Sequence, residues 1–256
     1  MENSRESLIR SIVAVCHKVA AKGWVANHDG NVSARFEDTL LATPTAVSKA
    51  DVTAEMIITL DREGKKLRGE GHPFSEIRLH LAAYRSRPDI QAVVHAHPPL
   101  ATARGLVGGE FEVQLAEAVV SIGDIVPVVP YAFPGASESD ALVADALCRS
   151  DLLMMAGNGV LACGRDIQEA FLRLELLEHL LRIDHYARMM GPVTPLPAAD
   201  REKLLAKRAS LGLGPGNIAA QNRQGENNVS QVPSQANELL KNLIAEELRK
   251  ILVEKK

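Results

Sequence analysis

Apolar residues recur at helical spacing from the start of the chain, where Leu8, Ile12, Val15 and Val19 predict an amphipathic helix. His17 and Lys18 interrupt its apolar run and no small-residue cleavage site follows, so the segment reads as neither a signal peptide nor a membrane span. Gly23 and the polar run Asn27, His28, Asp29, Gly30, Asn31 end the pattern, and residues 32–36 alternate like a strand. Residues 40–43 and 56–60 read as further short strands, the second running into a hairpin-like turn over 61–65 with Gly64. Residues 75–84 have helical spacing, with Ser75 placed to cap the helix and residues 85–88 closing it. The β-branched run at 90–94 predicts a strand that delivers His95 and His97 at its end, before Pro98 and Pro99 stop any ladder. Strands are expected at 125–129 and 152–155, and helices at 139–149 and 167–190. Short strands alternating with helices make the fold class α/β or α+β, in three layers.

The pattern changes after residue 210. Residues 211–236 are rich in Gly, Asn, Gln, Ser and Pro and nearly lack large apolar side chains, the composition of a flexible linker. Beyond it Leu239, Leu240, Leu243, Ile244, Leu248, Ile251 and Leu252 return to helical spacing with Lys and Glu on the other face. The expected organisation is a folded domain over 1–210, a linker over 211–236 and an amphipathic helix over 237–256.

Composition narrows the function classes. A chain of 256 residues that is 46% hydrophobic can bury one substantial core. Its formal charge is -3 with both signs interspersed, so it lacks the basic field that nucleic-acid binding needs. Cys16, Cys148 and Cys163 lie far apart without CxxC spacing, which argues against a disulfide framework or a thiolate zinc cluster and for a reducing cytoplasm.

The chemistry concentrates at His95-Ala96-His97. On an extended segment side chains alternate with period two, so both imidazoles share a face and can bind a borderline divalent ion. The bare HxH is equally compatible with two ordinary histidines at a surface turn. The helix that carries Glu76 immediately precedes the strand, and a His, His, Glu set is a common catalytic zinc pattern. Of the other histidines, His28 beside Gly30 and Asn31 is within reach of a substrate; His17, His72, His80, His179 and His185 read as structural or surface groups.

These residues fall into motifs: GNVS at 30–33, TPT at 43–45, Ser75-Glu76, RPD followed by AVVHAHP at 92–98, and GVLACG at 159–164. In this order, over about residues 5–195, they resemble the class II aldolase and adducin superfamily in its fuculose-phosphate and ribulose-phosphate branch. The resemblance implies a central, mostly antiparallel sheet between helical layers and a C4 homotetramer. It implies His95 and His97 as ligands of one divalent metal per subunit, ordinarily zinc, and Glu76 as a carboxylate alternating between ligand and acid/base. Gly30, Asn31, Thr45, Ala46 and Ser75 fall at positions that hold the substrate phosphate, a task suited to small polar side chains and loop N–H groups.

The chain departs from the family pattern at several points. Asn158 stands where a third metal histidine precedes the glycine that is Gly159; an amide oxygen is a harder, weaker ligand, so Mn²⁺ or Mg²⁺ becomes an alternative to zinc. Phe74 replaces the first serine of a Ser-Ser pair and Ala46 replaces the glycine after TPT, changing the anion pocket. Ala116 beside Glu117 occupies the place of a catalytic tyrosine, and no tyrosine follows Tyr186.

The resemblance therefore implies a cytoplasmic metal-dependent lyase for retro-aldol cleavage of a deoxy-ketose 1-phosphate, of the fuculose or rhamnulose 1-phosphate type, to dihydroxyacetone phosphate and lactaldehyde. The alternatives are a metal-dependent decarboxylase of a hydroxy or oxo acid and a non-catalytic, adducin-like scaffold. The linker and C-terminal helix resemble an encapsulation peptide that docks an enzyme on a bacterial microcompartment shell protein through its apolar stripe; an oligomerisation helix would bury the same face.

Overall fold

The computed structural model describes residues 4–132 and 137–215. Seven helices and ten strands occur in the described residues, in the order α1 (Arg5–Ala21), β1 (Asn31–Phe36), β2 (Thr39–Ala42), β3 (Ile58–Leu60), β4 (Lys66–Arg68), α2 (Ile77–Ser86), β5 (Ala92–Ala96), α3 (Pro99–Val107), β6 (Phe111–Glu112), α4 (Ala116–Ile122), β7 (Ile125–Val126), β8 (Val128–Val129), α5 (Ser137–Arg149), β9 (Leu152–Met155), β10 (Val160–Gly164), α6 (Ile167–Met190) and α7 (Ala198–Ser210).

Eight strands form one sheet in the order β4-β3-β2-β1-β5-β10-β9-β8. Every pair in it is antiparallel except β8 with β9. The mixed α/β fold with a mostly antiparallel central sheet is thus the one expected. β5 lies in the middle, with Asn31 of β1 on one side of His95 and Leu161 of β10 on the other.

Strand parity sorts the core into two layers. Ala92, Val94, Ala96, Val160 and Ala162 point to the face covered by α1 and α6, where Ile12, Val15, Phe171 and Leu174 meet them. Val93, Leu161 and Cys163 point the other way, against Leu79, Ala82 and Ala83 of α2 and Val143 and Leu147 of α5. The same alternation sends His95 towards α2.

Local signals place the long helices. Ser4 caps α1 by accepting from Ser7 N at 3.2 Å, and Asp166 caps α6 by accepting from Glu169 N at 2.7 Å. The helix expected from residue 75 begins two residues later: Ile77 N donates to Phe74 O across a turn, and Ser75 makes no cap. The apolar run at 125–129 is divided, because Pro127 has no N–H to donate; β7 joins β6 in a separate two-stranded sheet while β8 pairs with β9. The pattern does not predict helices α3, α4 and α7 or strands β4, β6 and β10.

Below the sheet Asp151, wholly buried, receives Arg87 at 2.7 Å and Arg173 at 3.1 Å, and Arg208 from α7. Burial would raise its carboxyl, but the three guanidinium groups hold it below the ordinary carboxylate range. The three cysteines are free, Cys16 and Cys163 buried and Cys148 exposed. Among the described residues no helix is long and apolar enough to cross a membrane. The expected C-terminal helix, and the linker from residue 216 onward, lie outside the described residues.

Candidate functional site

His95 is the hub of the site. It is the fourth residue of β5, and its Nδ1 lies 2.8 Å from the carbonyl oxygen of Val160 on β10. A carbonyl only accepts, so Nδ1 carries the hydrogen and Nε2 presents a lone pair whenever the ring is neutral. His97, just past the strand, is held by its own backbone N–H to Trp24 O at 2.8 Å. Its Nε2 stands 3.2 Å from His95 Nε2, and its Nδ1 is 3.6 Å from Asp29 Oδ2.

Glu76 enters from the opposite element. It sits immediately before α2, and its Oε2 is 3.3 Å from His95 Nε2. Oε2 also accepts from Asn31 Nδ2 at 2.8 Å, and Oε1 accepts from Asn158 Nδ2 at 2.6 Å. Burial would raise the Glu76 carboxyl, yet the charge and hydrogen bond of His95 and the two amides outweigh it and hold the group far below the usual carboxylate range. Burial likewise opposes protonation of His95, but Glu76 raises it. His97 is lowered by burial and by the charge on His95. Glu76 is therefore an anion at neutral pH, shared between one imidazole and two amides.

Two glycines allow this approach. A Cβ on Gly30, whose φ is +72°, would lie 2.6 Å from Val25 Cγ1 and 2.9 Å from His95 O. A Cβ on Gly159, with φ +69°, would lie 2.3 Å from His97 Cδ2. Both turns pack directly on the histidine segment, one bringing Asn31 and the other Asn158.

The chemistry of this set fits a divalent ion in part. Two nitrogens bound to one tetrahedral zinc at about 2.0–2.1 Å are separated by roughly 3.3 Å, close to the spacing between the two Nε2 atoms. Among the described residues no three His, Cys, Asp or Glu side chains converge on one point, so the close pairs are His95 with His97 and His95 with Glu76. Asn158 turns its amide nitrogen to Glu76, and a carboxylate oxygen there excludes the flipped amide, because both atoms would be acceptors.

The residues expected around a phosphate divide into two groups. Gly30 and Asn31 are buried beside His95. Thr45 and Ala46 are exposed on a turn tied to the segment before α2, through a Pro44–Pro73 bridge and Thr45 N to His72 O at 2.9 Å. Ser75, at the end of that segment, opens on a cleft it shares with Glu76, Tyr131 and Asn158. Phe74 does not reach this cleft; it is buried, its ring centroid 4.9 Å from that of His80. His28 is exposed, and its neighbour Asp29 is the side chain that faces His97.

Asp29 and Tyr131 are the site residues that sequence reasoning passed over. Asp29 lies in the polar run that ends α1, but nothing in a loop's spacing says that its carboxylate turns to a histidine far along the chain. Tyr131 is 65% exposed and packs over Gly157, lining the cleft without any local motif around it.

Comparison with known proteins places the chain in a family. Residues 10–185 match the model of the class II aldolase and adducin N-terminal domain. The L-fuculose phosphate aldolase of Escherichia coli K12 is 31% identical over 212 residues, covering 82% of this chain and 97% of that enzyme. The 5-methylthioribulose-1-phosphate/5-deoxyribulose-1-phosphate aldolase of Escherichia coli O45:K1 is 33% identical over 158 residues, or 62% of this chain and 74% of the other. A solved L-fuculose 1-phosphate aldolase superposes with a TM-score of 0.74 at 24% identity, covering 80% of this chain and 97% of its own. With a family model matched over residues 10–185 and a relative 31% identical over 82% of its length, the chain belongs to the class II aldolase and adducin family.

Proposed function

We propose that the protein is a metal-dependent lyase that cleaves a deoxy-ketose 1-phosphate, of the fuculose or rhamnulose 1-phosphate type, to dihydroxyacetone phosphate and lactaldehyde. The observation that carries this reading is the 3.2 Å approach of the His95 and His97 Nε2 atoms, with Glu76 3.3 Å from His95. His95 and His97 would hold the ion and Glu76 would reach it through Oε2; zinc suits the imidazoles, and Mn²⁺ or Mg²⁺ suits a set completed by oxygen. A bound divalent ion supplies Lewis-acid polarisation of the ketose carbonyl and the adjacent hydroxyl.

The protein's own groups then move the protons and orient the substrate. As the C3–C4 bond breaks, C4 becomes the aldehyde, the electron pair of that bond passes to C3, and Glu76 carries the proton released by the C4 hydroxyl to C3. In the condensing direction Glu76, which is an anion and so free to accept, takes that proton back. To return the proton it must gain affinity once substrate displaces it from His95. Gly30, Asn31, Thr45, Ala46 and Ser75 would receive the phosphate through backbone N–H groups and the Thr45 and Ser75 hydroxyls.

The named relatives act on two kinds of ketose phosphate, so the substrate is to be settled by assay. Metal content by elemental analysis, with aldehyde release from fuculose, rhamnulose and 5-deoxyribulose 1-phosphates before and after chelation, tests the reading. Bound metal and chelator-sensitive release that His97→Ala lowers at least about a hundredfold is the expected result. Carbon dioxide released from a hydroxy acid instead would establish the decarboxylase, and neither metal nor turnover after resupply would establish the scaffold.

Two further elements of the reading concern assembly. A homotetramer is expected by likeness to the family. The apolar stripe of residues 239–252 supports docking on a shell protein, and unchanged cargo loading after deletion of residues 212–256 would refute it.

A further inference from the structure

Glu76 has both carboxylate oxygens engaged by side-chain amides from different parts of the fold. Asn31, the first residue of β1, donates to Oε2 at 2.8 Å, and Asn158, in the turn between β9 and β10, donates to Oε1 at 2.6 Å. Neither amide can be flipped without setting oxygen against oxygen. Asn31 is buried, and among the described residues its Oδ1 has no hydrogen-bond partner, which leaves the Glu76 contact as the one its side chain makes there. Backbone hydrogen bonds place both residues: Asn31 is paired in register with His95, and Asn158 N donates to Met155 O at 3.0 Å across the β9–β10 turn.

We propose that Asn31 and Asn158 form an amide clamp on Glu76, and that Asn158 is a positioning residue acting through that carboxylate. By pinning Oε1, Asn158 turns Oε2 to His95 and sets where the carboxylate stands relative to the two imidazoles. The residue in place of a third histidine thus serves the ion at one remove, and the protein's own ligands are His95, His97 and Glu76. This rests on the metal-dependent reading above, but its test does not require turnover.

The test is a double-mutant cycle on the full chain with Asn158→Ala, Glu76→Ala and the double variant, read by Co²⁺ affinity in competition with a chelator and by the visible Co²⁺ spectrum. Partners that orient a ligand typically change metal affinity by about ten- to a hundredfold. Asn158→Ala should therefore weaken Co²⁺ by at least about tenfold when Glu76 is present and by less than about twofold when it is absent. Asn158→Gln, which keeps the amide donor, should recover part of the loss. An undiminished loss in the Glu76→Ala background would make Asn158 a direct ligand and overturn the proposal, as would no loss in either background. If the wild-type chain takes up no Co²⁺ the metal reading fails, and the same cycle read by thermal unfolding decides the clamp. Coupling between the two substitutions would then support it, and additive effects would overturn it.

Discussion

Gly159 lies against the face of His97, so close that a Cβ there would stand 2.3 Å from His97 Cδ2 and 2.5 Å from Ala96 O. Its φ of +69° is also one that side chains disfavour. Gly159→Ala must displace either the imidazole or the β9–β10 turn that carries Asn158. Metal uptake and aldehyde release are expected to fall at least about tenfold in a variant whose circular dichroism matches wild type. Unchanged metal affinity would mean that the ring moves without cost and that the close packing does not position the ligand.

Ala46 occupies the left-handed region at φ +59° in the exposed turn next to Thr45. A non-glycine residue pays about 1–2 kcal/mol for that conformation. Ala46→Gly relieves it, offset in part by the greater freedom glycine has when unfolded. A gain of about 0.5–1 kcal/mol, seen as a rise of roughly 1–4 °C in Tm, is expected. A lower Tm would show that the methyl group makes a contact worth more than the strain.

His80 should make stability depend on pH. It is completely buried, with Nδ1 2.7 Å from Ser33 Oγ and Nε2 without a partner among the described residues, and burial, aided by the nearby His95 charge, lowers it from 6.5 to about 3. Between those values the unfolded chain takes up a proton that the folded chain refuses, so this contribution is fully present above about pH 6.5 and is lost as pH falls towards 3. Denaturant unfolding of wild type should lose up to about 1.4 kcal/mol per pH unit across that window from this group. His80→Gln should flatten the slope, and parallel slopes in the two proteins would refute the assignment.

Asp151 anchors α7 to the sheet by receiving Arg208 together with Arg87 and Arg173. Asp151→Asn keeps the shape but takes from Arg208 its carboxylate partner and from Arg87 and Arg173 one of two, since those keep Asp89 and Glu169. A loss of about 3–5 kcal/mol in unfolding free energy is expected, with earlier proteolysis within α7. A loss under about 1 kcal/mol would mean that the backbone carbonyls already binding these arginines suffice.

Much of the fold was legible before any tertiary contact was known. The period of apolar residues located α1 and α6 because each buries one face against the sheet, and the continuous apolar run at 152–155 located β9, which is buried on both faces. The pattern failed at 125–129, where Pro127 splits the run, and at α3, α4 and α7. The motifs around His95 and His97 were legible because alternation along a strand fixes which face they share, and Glu76 because its helix leads into that strand.

Legible in the residues alone is the inventory: a strand leading into two histidines, a glutamate at a helix start, a glycine before Asn31 and glycines on both sides of Asn158. The partnerships come from the fold. Asn158 donates to Glu76 through its amide nitrogen, Asp29 rather than His28 faces His97, and Phe74 packs in the core against His80. Each depends on a contact between distant segments whose direction comes from sheet register and close glycine turns, and local spacing carries no record of either.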